Sequence, residues 1–121
     1  MAETPNSFED QLASLKRAFV DGLPARIEAI DAAANGIGKD VAAASLEDIA
    51  ALRALLHKLA GAGGTFGHLA VGDAAAWAER GCDDVLGRKV PPTAEQWRQL
   101  EARLEKLRRA AANAVAAMKR G

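Results

Sequence analysis

The sequence predicts an all-α protein: an antiparallel up-down bundle of four helices with an additional short N-terminal helix. Of its 121 residues, 29 are Ala and 13 are Leu, whereas only 10 are Val or Ile. This composition favours helices over strands. Apolar residues recur every three or four positions in several segments, which is the spacing of amphipathic helices. The length suits one core, so we expect residues 1–121 to form a single helical bundle domain.

The first helices are predicted within residues 7–34. Ser7 and Asp10 have the spacing of a helix cap, and apolar residues then recur at Phe8, Leu12, Leu15 and Phe19. The run Asp21–Pro24 interrupts this pattern. Because proline is tolerated in a first helical turn, either a second helix or a kinked continuation is expected after it. The turn-forming residues 35–38 are expected to end that segment.

Three further helices follow along the chain. The first begins at the cap pair Ser45 and Asp48, and its apolar positions are Ile49, Leu52, Leu56, Leu59, Gly63 and Phe66. An Ala-rich helix is predicted over residues 69–82. The last helix begins at the cap pair Thr93 and Gln96.

The tryptophans of these helices are expected to pack in the core, and the glycines inside one helix require an explanation. Trp77 and Trp97 are interpreted as core residues. Glycines 61, 63, 64 and 67 lie near the end of the helix that begins at Ser45. Each glycine inside a helix costs about 1 kcal/mol relative to alanine, so a compensating packing role is expected.

Charge and cysteine usage exclude several classes of protein. The 16 basic and 16 acidic residues balance, so the net charge does not favour binding to nucleic acid or anionic lipid. Acidic residues predominate in residues 1–50 and basic residues in 98–121, which indicates complementary faces of neighbouring helices. No signal peptide or membrane-spanning run is apparent. Cys82 is the only cysteine, which fits a reducing compartment, and it is interpreted as a packing residue. We therefore expect a cytoplasmic protein without membrane contact.

A helical wheel separates His57 from the apolar stripe that includes Leu56. At 100° per residue, His57 lies about 130° from the centre of the stripe. An exposed imidazole is mostly neutral at pH 7, so one ring nitrogen keeps a lone pair for nucleophilic attack. Arg53 and Lys58 flank the same surface with positive charge, where an anion could be held.

The sequence His57–Gly67, HKLAGAGGTFG, resembles the signature of histidine-containing phosphotransfer (HPt) domains. That signature is a histidine followed by Leu at +2, Gly at +4, small residues and a hydrophobic residue paired with Gly. The resemblance extends more loosely over nearly the whole chain. It implies a four-helix bundle whose exposed histidine accepts and donates a phosphoryl group in a multistep relay.

The resemblance also implies the partners and the absence of ATP-dependent kinase activity. The expected partners are receiver domains of response regulators and hybrid histidine kinases, and the divalent metal belongs to these receivers. The chain has no Walker A sequence, which excludes an autonomous kinase, and no cluster of metal ligands is apparent, so no cofactor or metal is expected in it. Since a closed bundle needs no second copy, a monomer is expected.

The chain departs from the family pattern at one position of the expected site. The family usually has Lys at +3 from the histidine, where its charge balances the phosphate, but this chain has Ala60. Lys58 and Arg53 are the candidate phosphate-neighbouring replacements. Partner docking is assigned to five small residues, which we call the small-residue face: Ala50, Ala54, Ala60, Gly61 and Gly64.

Two other functions remain open at this point. The first is an interaction module that docks on receiver domains without being phosphorylated, its signature having decayed at Ala60. The second is a metal- or cofactor-binding bundle, which requires inward-facing ligand clusters, and none is apparent at helical spacing. His68 is expected at the start of the next helix or in the turn before it, as a surface residue too far from His57 to share a metal.

Overall fold

The computed structural model describes residues 7–121, and in this range the chain is helical without strands. Its α-helices are α1 (Phe8–Gly38), α2 (Leu46–Thr65), α3 (Leu69–Arg88) and α4 (Ala94–Arg120). A short 3₁₀ helix, Val41–Ala43, lies between α1 and α2. The predicted all-α class is therefore confirmed. Within residues 7–121, no helix is both long and apolar enough to cross a bilayer.

The prediction of a separate N-terminal helix is wrong, because α1 continues through Pro24 and through residues 35–38. The apolar positions Phe19, Leu23, Ile30, Ala34 and Ile37 stay in helical phase on both sides of the proline, and all are buried. Pro24 itself is exposed. Packing of this continuous stripe offsets the hydrogen bond that the proline ring removes.

The predicted helix starts are confirmed at the atomic level. The Ser45 hydroxyl accepts from the Asp48 backbone N–H, and the Asp48 carboxylate accepts from the Ser45 N–H. Thr93 and Gln96 form the same reciprocal pair at the start of α4. These bonds satisfy backbone donors that have no partner inside the helix.

The turn between α2 and α3 is short and well defined by backbone hydrogen bonds. Gly67 has a φ of 78°, the left-handed region that glycine adopts without strain. His68 N donates to Gly63 O at 2.9 Å, and Gly67 N donates to Gly64 O at 3.4 Å, a pattern typical of a Schellman end. His68 occupies the N-cap position of α3, without a capping hydrogen bond from its side chain. This helix continues past Gly81 to Arg88, six residues beyond the predicted end.

The core is formed by apolar side chains from all four helices. The stripe predicted for α2 is confirmed, since Ile49, Leu52, Leu56 and Leu59 are each at most 1% exposed. Trp97 is buried, whereas the prediction of Trp77 as a core residue is wrong. The inward positions of α3 hold small residues such as Ala75 and Ala78, so Trp77 lies half-buried at the edge. There the Arg103 guanidinium is 4.8 Å from the Trp77 ring centroid, a cation–π contact.

Two glycines allow α2 and α3 to approach closely. A Cβ atom on Gly63 would lie 2.8 Å from the Cα and N atoms of Gly72, and one on Gly72 would lie 3.2 Å from Ala60 O. Neither position has room for a side chain without movement of backbone. This contact is the compensating role expected for Gly63.

A charged pair joins α1 to α4. Arg108 Nε donates to Asp31 Oδ1 at 2.7 Å, and both side chains are about one-third exposed. Burial alone would lower the pKa of Arg108, but the hydrogen bond and charge of Asp31 raise it overall. At this point the acidic first half of the sequence and the basic final segment lie on neighbouring helices, as their charges indicated.

Candidate functional site

The imidazole of His57 lies on the surface of α2, on the side opposite the buried stripe. Its side chain is 67% exposed, whereas the preceding residue, Leu56, is fully buried. The wheel prediction for His57 agrees with this placement. The ring is therefore accessible to a reacting group on another molecule.

One ring nitrogen of His57 is held by a residue of α3. His57 Nδ1 lies 2.9 Å from Glu79 Oε2. Since a carboxylate only accepts hydrogen bonds, Nδ1 is assigned as the N–H donor, and in the neutral ring Nε2 then carries the lone pair. This contact favours the tautomer of the neutral ring in which Nε2 is unprotonated.

Arg53 connects the same carboxylate to a second one. Its Nη2 lies 3.1 Å from Glu79 Oε2, and its Nε donates to Asp83 Oδ1 at 2.5 Å. Asp83 raises the pKa of Arg53, mainly through this hydrogen bond. We call these four residues, Arg53, His57, Glu79 and Asp83, the α2–α3 network. Glu79 is its most buried member, with 14% of its side chain exposed.

The two predicted phosphate-neighbouring residues lie on different sides of His57. Arg53 faces α3 and is engaged by carboxylates. Lys58 is exposed and lines a groove between α1 and α2 beside Arg26 and Ala29. The structure therefore brings Arg53, but not Lys58, into the network around the imidazole.

The small-residue face surrounds His57 along α2. Ala50, Ala54, Gly61 and Gly64 are exposed, and Ala60 is half-buried. A Cβ atom on Gly61 or Gly64 would meet no atom within 4 Å. No large side chain of α2 therefore rises beside the imidazole on this face.

The remaining histidine and the cysteine lie away from this surface. His68 is half-buried rather than the surface residue that was expected, because its ring packs against Phe19, with the ring centroids 5.3 Å apart. Cys82 is fully buried, as expected for a packing residue, and burial raises the pKa of its thiol to about 12. Within residues 7–121, no group of three or more His, Cys, Asp or Glu side chains is placed to hold a metal ion.

Sequence reasoning missed Glu79 and Asp83, which complete the site. Both lie on α3, 22 and 30 positions from their partners in α2. Their i, i+4 spacing matches that of Arg53 and His57, so each pair lies on one face of its helix. That shared spacing is the signal that could have indicated the pairing.

Fold and site together define a class of protein: a helical bundle that presents one histidine from the surface of a central helix. The model of one family, described as the Hpt domain, matches residues 14–110, which is most of the chain. The chain belongs to the Hpt domain family. Hpt domains are phosphotransfer modules of two-component signalling; they are not kinases, and they interact with receiver domains. No curated protein and no solved structure gives a significant match.

Proposed function

We propose that His57 is the phosphoryl acceptor and donor of this Hpt domain, and that Nε2 is the reacting atom. The chain would relay a phosphoryl group between the aspartates of receiver domains, one in a hybrid histidine kinase and one in a response regulator. The observation that carries this proposal is the hydrogen bond from His57 Nδ1 to Glu79 on a side chain that is 67% exposed. It leaves Nε2 as the free nucleophile.

The transfer step balances without an additional acid or base. The lone pair of Nε2 attacks phosphorus in line, an N–P bond forms, and the bond from phosphorus to the aspartyl oxygen breaks. The electron pair leaves with the aspartate carboxylate. Nδ1 keeps its proton, so the phosphorylated ring is cationic, and the Glu79 carboxylate balances this charge. The reverse sequence passes the phosphoryl group to the second receiver.

Docking of a receiver is assigned to the small-residue face. Ala50, Ala54, Ala60, Gly61 and Gly64 leave room for the rim of a receiver's aspartate pocket to approach the imidazole. Lys58 at +1, exposed beside the α1–α2 groove, would supply positive charge in place of the lysine absent at position 60. The divalent metal that neutralises the phosphoryl oxygens belongs to the receiver in this proposal, with no cofactor in the present chain.

We also propose the finer architecture, an antiparallel up-down arrangement in one domain. Contacts between successive helices support it, because residue numbers fall on one helix as they rise on the next. Examples are His57 with Glu79 and Gly63 with Gly72 between α2 and α3, and Arg103 with Trp77 and Leu100 with Gly81 between α3 and α4. The four network residues come from one chain, so a monomer is sufficient for the relay, and we propose that it acts in the cytoplasm.

The direct test is phosphoryl transfer from a receiver domain labelled on its aspartate. We expect label on the wild-type chain that is acid-labile and alkali-stable, and none on His57→Gln. His68→Gln is the matched control, since it removes the other histidine, and it should retain the label. If the wild type binds the tested receivers but accepts label from none of them, the result would instead favour a docking module that is not phosphorylated. Ala60 suggests this alternative.

A further inference from the structure

The Glu79 carboxylate is shared by two donors at a single oxygen. His57 Nδ1 lies 2.9 Å and Arg53 Nη2 lies 3.1 Å from the same Oε2 atom. Glu79 is 14% exposed, whereas Arg53 is 37% and His57 67% exposed. The least solvated group of the site is therefore a carboxylate that depends on these two neighbours for compensation.

A largely buried carboxylate needs paired charge and hydrogen bonds to remain in place. In its neutral, nucleophilic form the imidazole supplies one hydrogen bond but no charge before phosphorylation. Arg53 supplies the positive charge, and its own position is fixed by the second hydrogen bond, to Asp83 at 2.5 Å. The planar guanidinium presents donors in a fixed fork, which suits a bridge between two carboxylates.

We propose that Arg53 is a positioning residue that anchors Glu79, so that Glu79 holds His57 with Nδ1 protonated and Nε2 free. This inference rests on the proposed function of His57 and removes Arg53 from the phosphate-neighbouring role expected from sequence. If Arg53 turned toward a phosphoryl group, it would leave Glu79 without its cation and Asp83 without its donor. The charge beside the phosphoryl group then comes from Lys58 and from the receiver.

The first experiment measures the ring tautomer of His57 before any phosphorylation. Long-range ¹H–¹⁵N NMR spectra of the wild type should show the proton on Nδ1. In Arg53→Gln, the unanchored Glu79 should release the ring, and signals of both tautomers should appear. Arg80→Gln removes the same charge from an exposed neighbour of Glu79 and should match the wild type. An unchanged tautomer in a folded Arg53→Gln protein would overturn the proposal.

The second experiment measures reactivity with phosphoramidate, a small donor that requires no docking surface. Nε2 attacks its phosphorus, and the P–N bond to the departing ammonia breaks. Loss of a charge-assisted contact predicts a rate about tenfold lower in Arg53→Gln. Arg53→Lys keeps the positive charge but not the planar arrangement of donors, so its rate should lie between those of the wild type and Arg53→Gln. Circular dichroism checks that each variant is folded.

Asp83→Asn distinguishes positioning from a phosphate contact. If Arg53 served the phosphoryl group, its release from Asp83 would accelerate the reaction with phosphoramidate, and such an acceleration would contradict the proposal. We expect none. The NMR result does not depend on phosphorylation, so absence of label on His57 would reject the proposed function while the role of Arg53 was still tested.

Discussion

At the scale of single residues, we expect the reactivity of His57 to depend on a side chain from another helix. Glu79 contributes a hydrogen-bond acceptor and a negative charge, and these effects are separable. In Glu79→Gln the amide oxygen still accepts from Nδ1, but the cationic phosphorylated ring loses its counter-charge. We expect phosphorylation by phosphoramidate to slow about tenfold while NMR still shows the Nδ1 proton. Asp84→Asn, an equal charge change at an exposed site on α3, should have no effect.

The exposure of His57 could be predicted from sequence, but its partner could not. The orientation of a residue around a helix follows from its distance in sequence to the apolar stripe, which is local information. The contact with Glu79 depends on how α2 and α3 align, and that alignment is set by the Gly63–Gly72 contact and the turn at Gly67. Residues 22 positions apart are brought together by these packing details.

Cys82 should be inert in the folded protein, since burial raises the pKa of its thiol from 9.0 to about 12. At pH 8 we expect negligible alkylation by iodoacetamide until the chain is unfolded in denaturant. The folded state holds the thiol proton more tightly than the unfolded state, so this group's contribution to stability should fall as pH rises above 9. Rapid modification of native protein at pH 8, followed by mass spectrometry, would contradict this picture.

At the scale of helices, two glycines of α2 should respond in opposite ways to alanine. In Gly63→Ala the new Cβ would lie 2.8 Å from the Gly72 backbone, and overpacking of this kind costs about 1–3 kcal/mol. In Gly61→Ala the new Cβ meets nothing within 4 Å, so the helix should gain about 0.5–1 kcal/mol. Urea unfolding of the two variants measures both changes. Equal midpoints would show that the close approach does not constrain α2 and α3.

Helix starts were more predictable than helix continuity, and the reason is physical. A capping box is formed by residues three positions apart, as at Ser45 and Thr93, so its signal lies entirely in the local sequence. Whether α1 continues past Pro24 depends on how much apolar surface Leu23 and Ile37 bury against other helices. The prediction of Trp77 as a core residue also fails because burial depends on packing between helices: the alanines of α3 occupy the inward positions.

At the scale of the whole molecule, the proposed site assigns chemistry and recognition to different residues. The α2–α3 network acts on the imidazole from the α3 side, whereas the small-residue face extends along the exposed surface of α2. Phosphoramidate reports the first property alone, and a phosphorylated receiver domain reports both. Variants that affect one property but not the other would show that the two are carried by different residues.

Gly61→Arg is the variant that should affect recognition alone. A side chain at Gly61 would enter open space, and arginine favours helix more than glycine does, so we expect the free energy of unfolding to be maintained. The long side chain would occupy the surface that a receiver must approach. Transfer from a phosphorylated receiver should then fall roughly 100-fold, as for a clash at the centre of an interface, while phosphoramidate still labels His57.

A matched substitution controls for the added charge and bulk. Gly36 is also exposed and helical, with no atom within 4 Å of a Cβ atom, but it lies in α1 near the end of that helix. Gly36→Arg should therefore transfer at the wild-type rate. If the two arginine variants slow the receiver reaction equally, the effect is one of charge, and the small-residue face is not where the receiver docks. If only Gly61→Arg is slow, docking and phosphoryl chemistry share the α2 surface around His57.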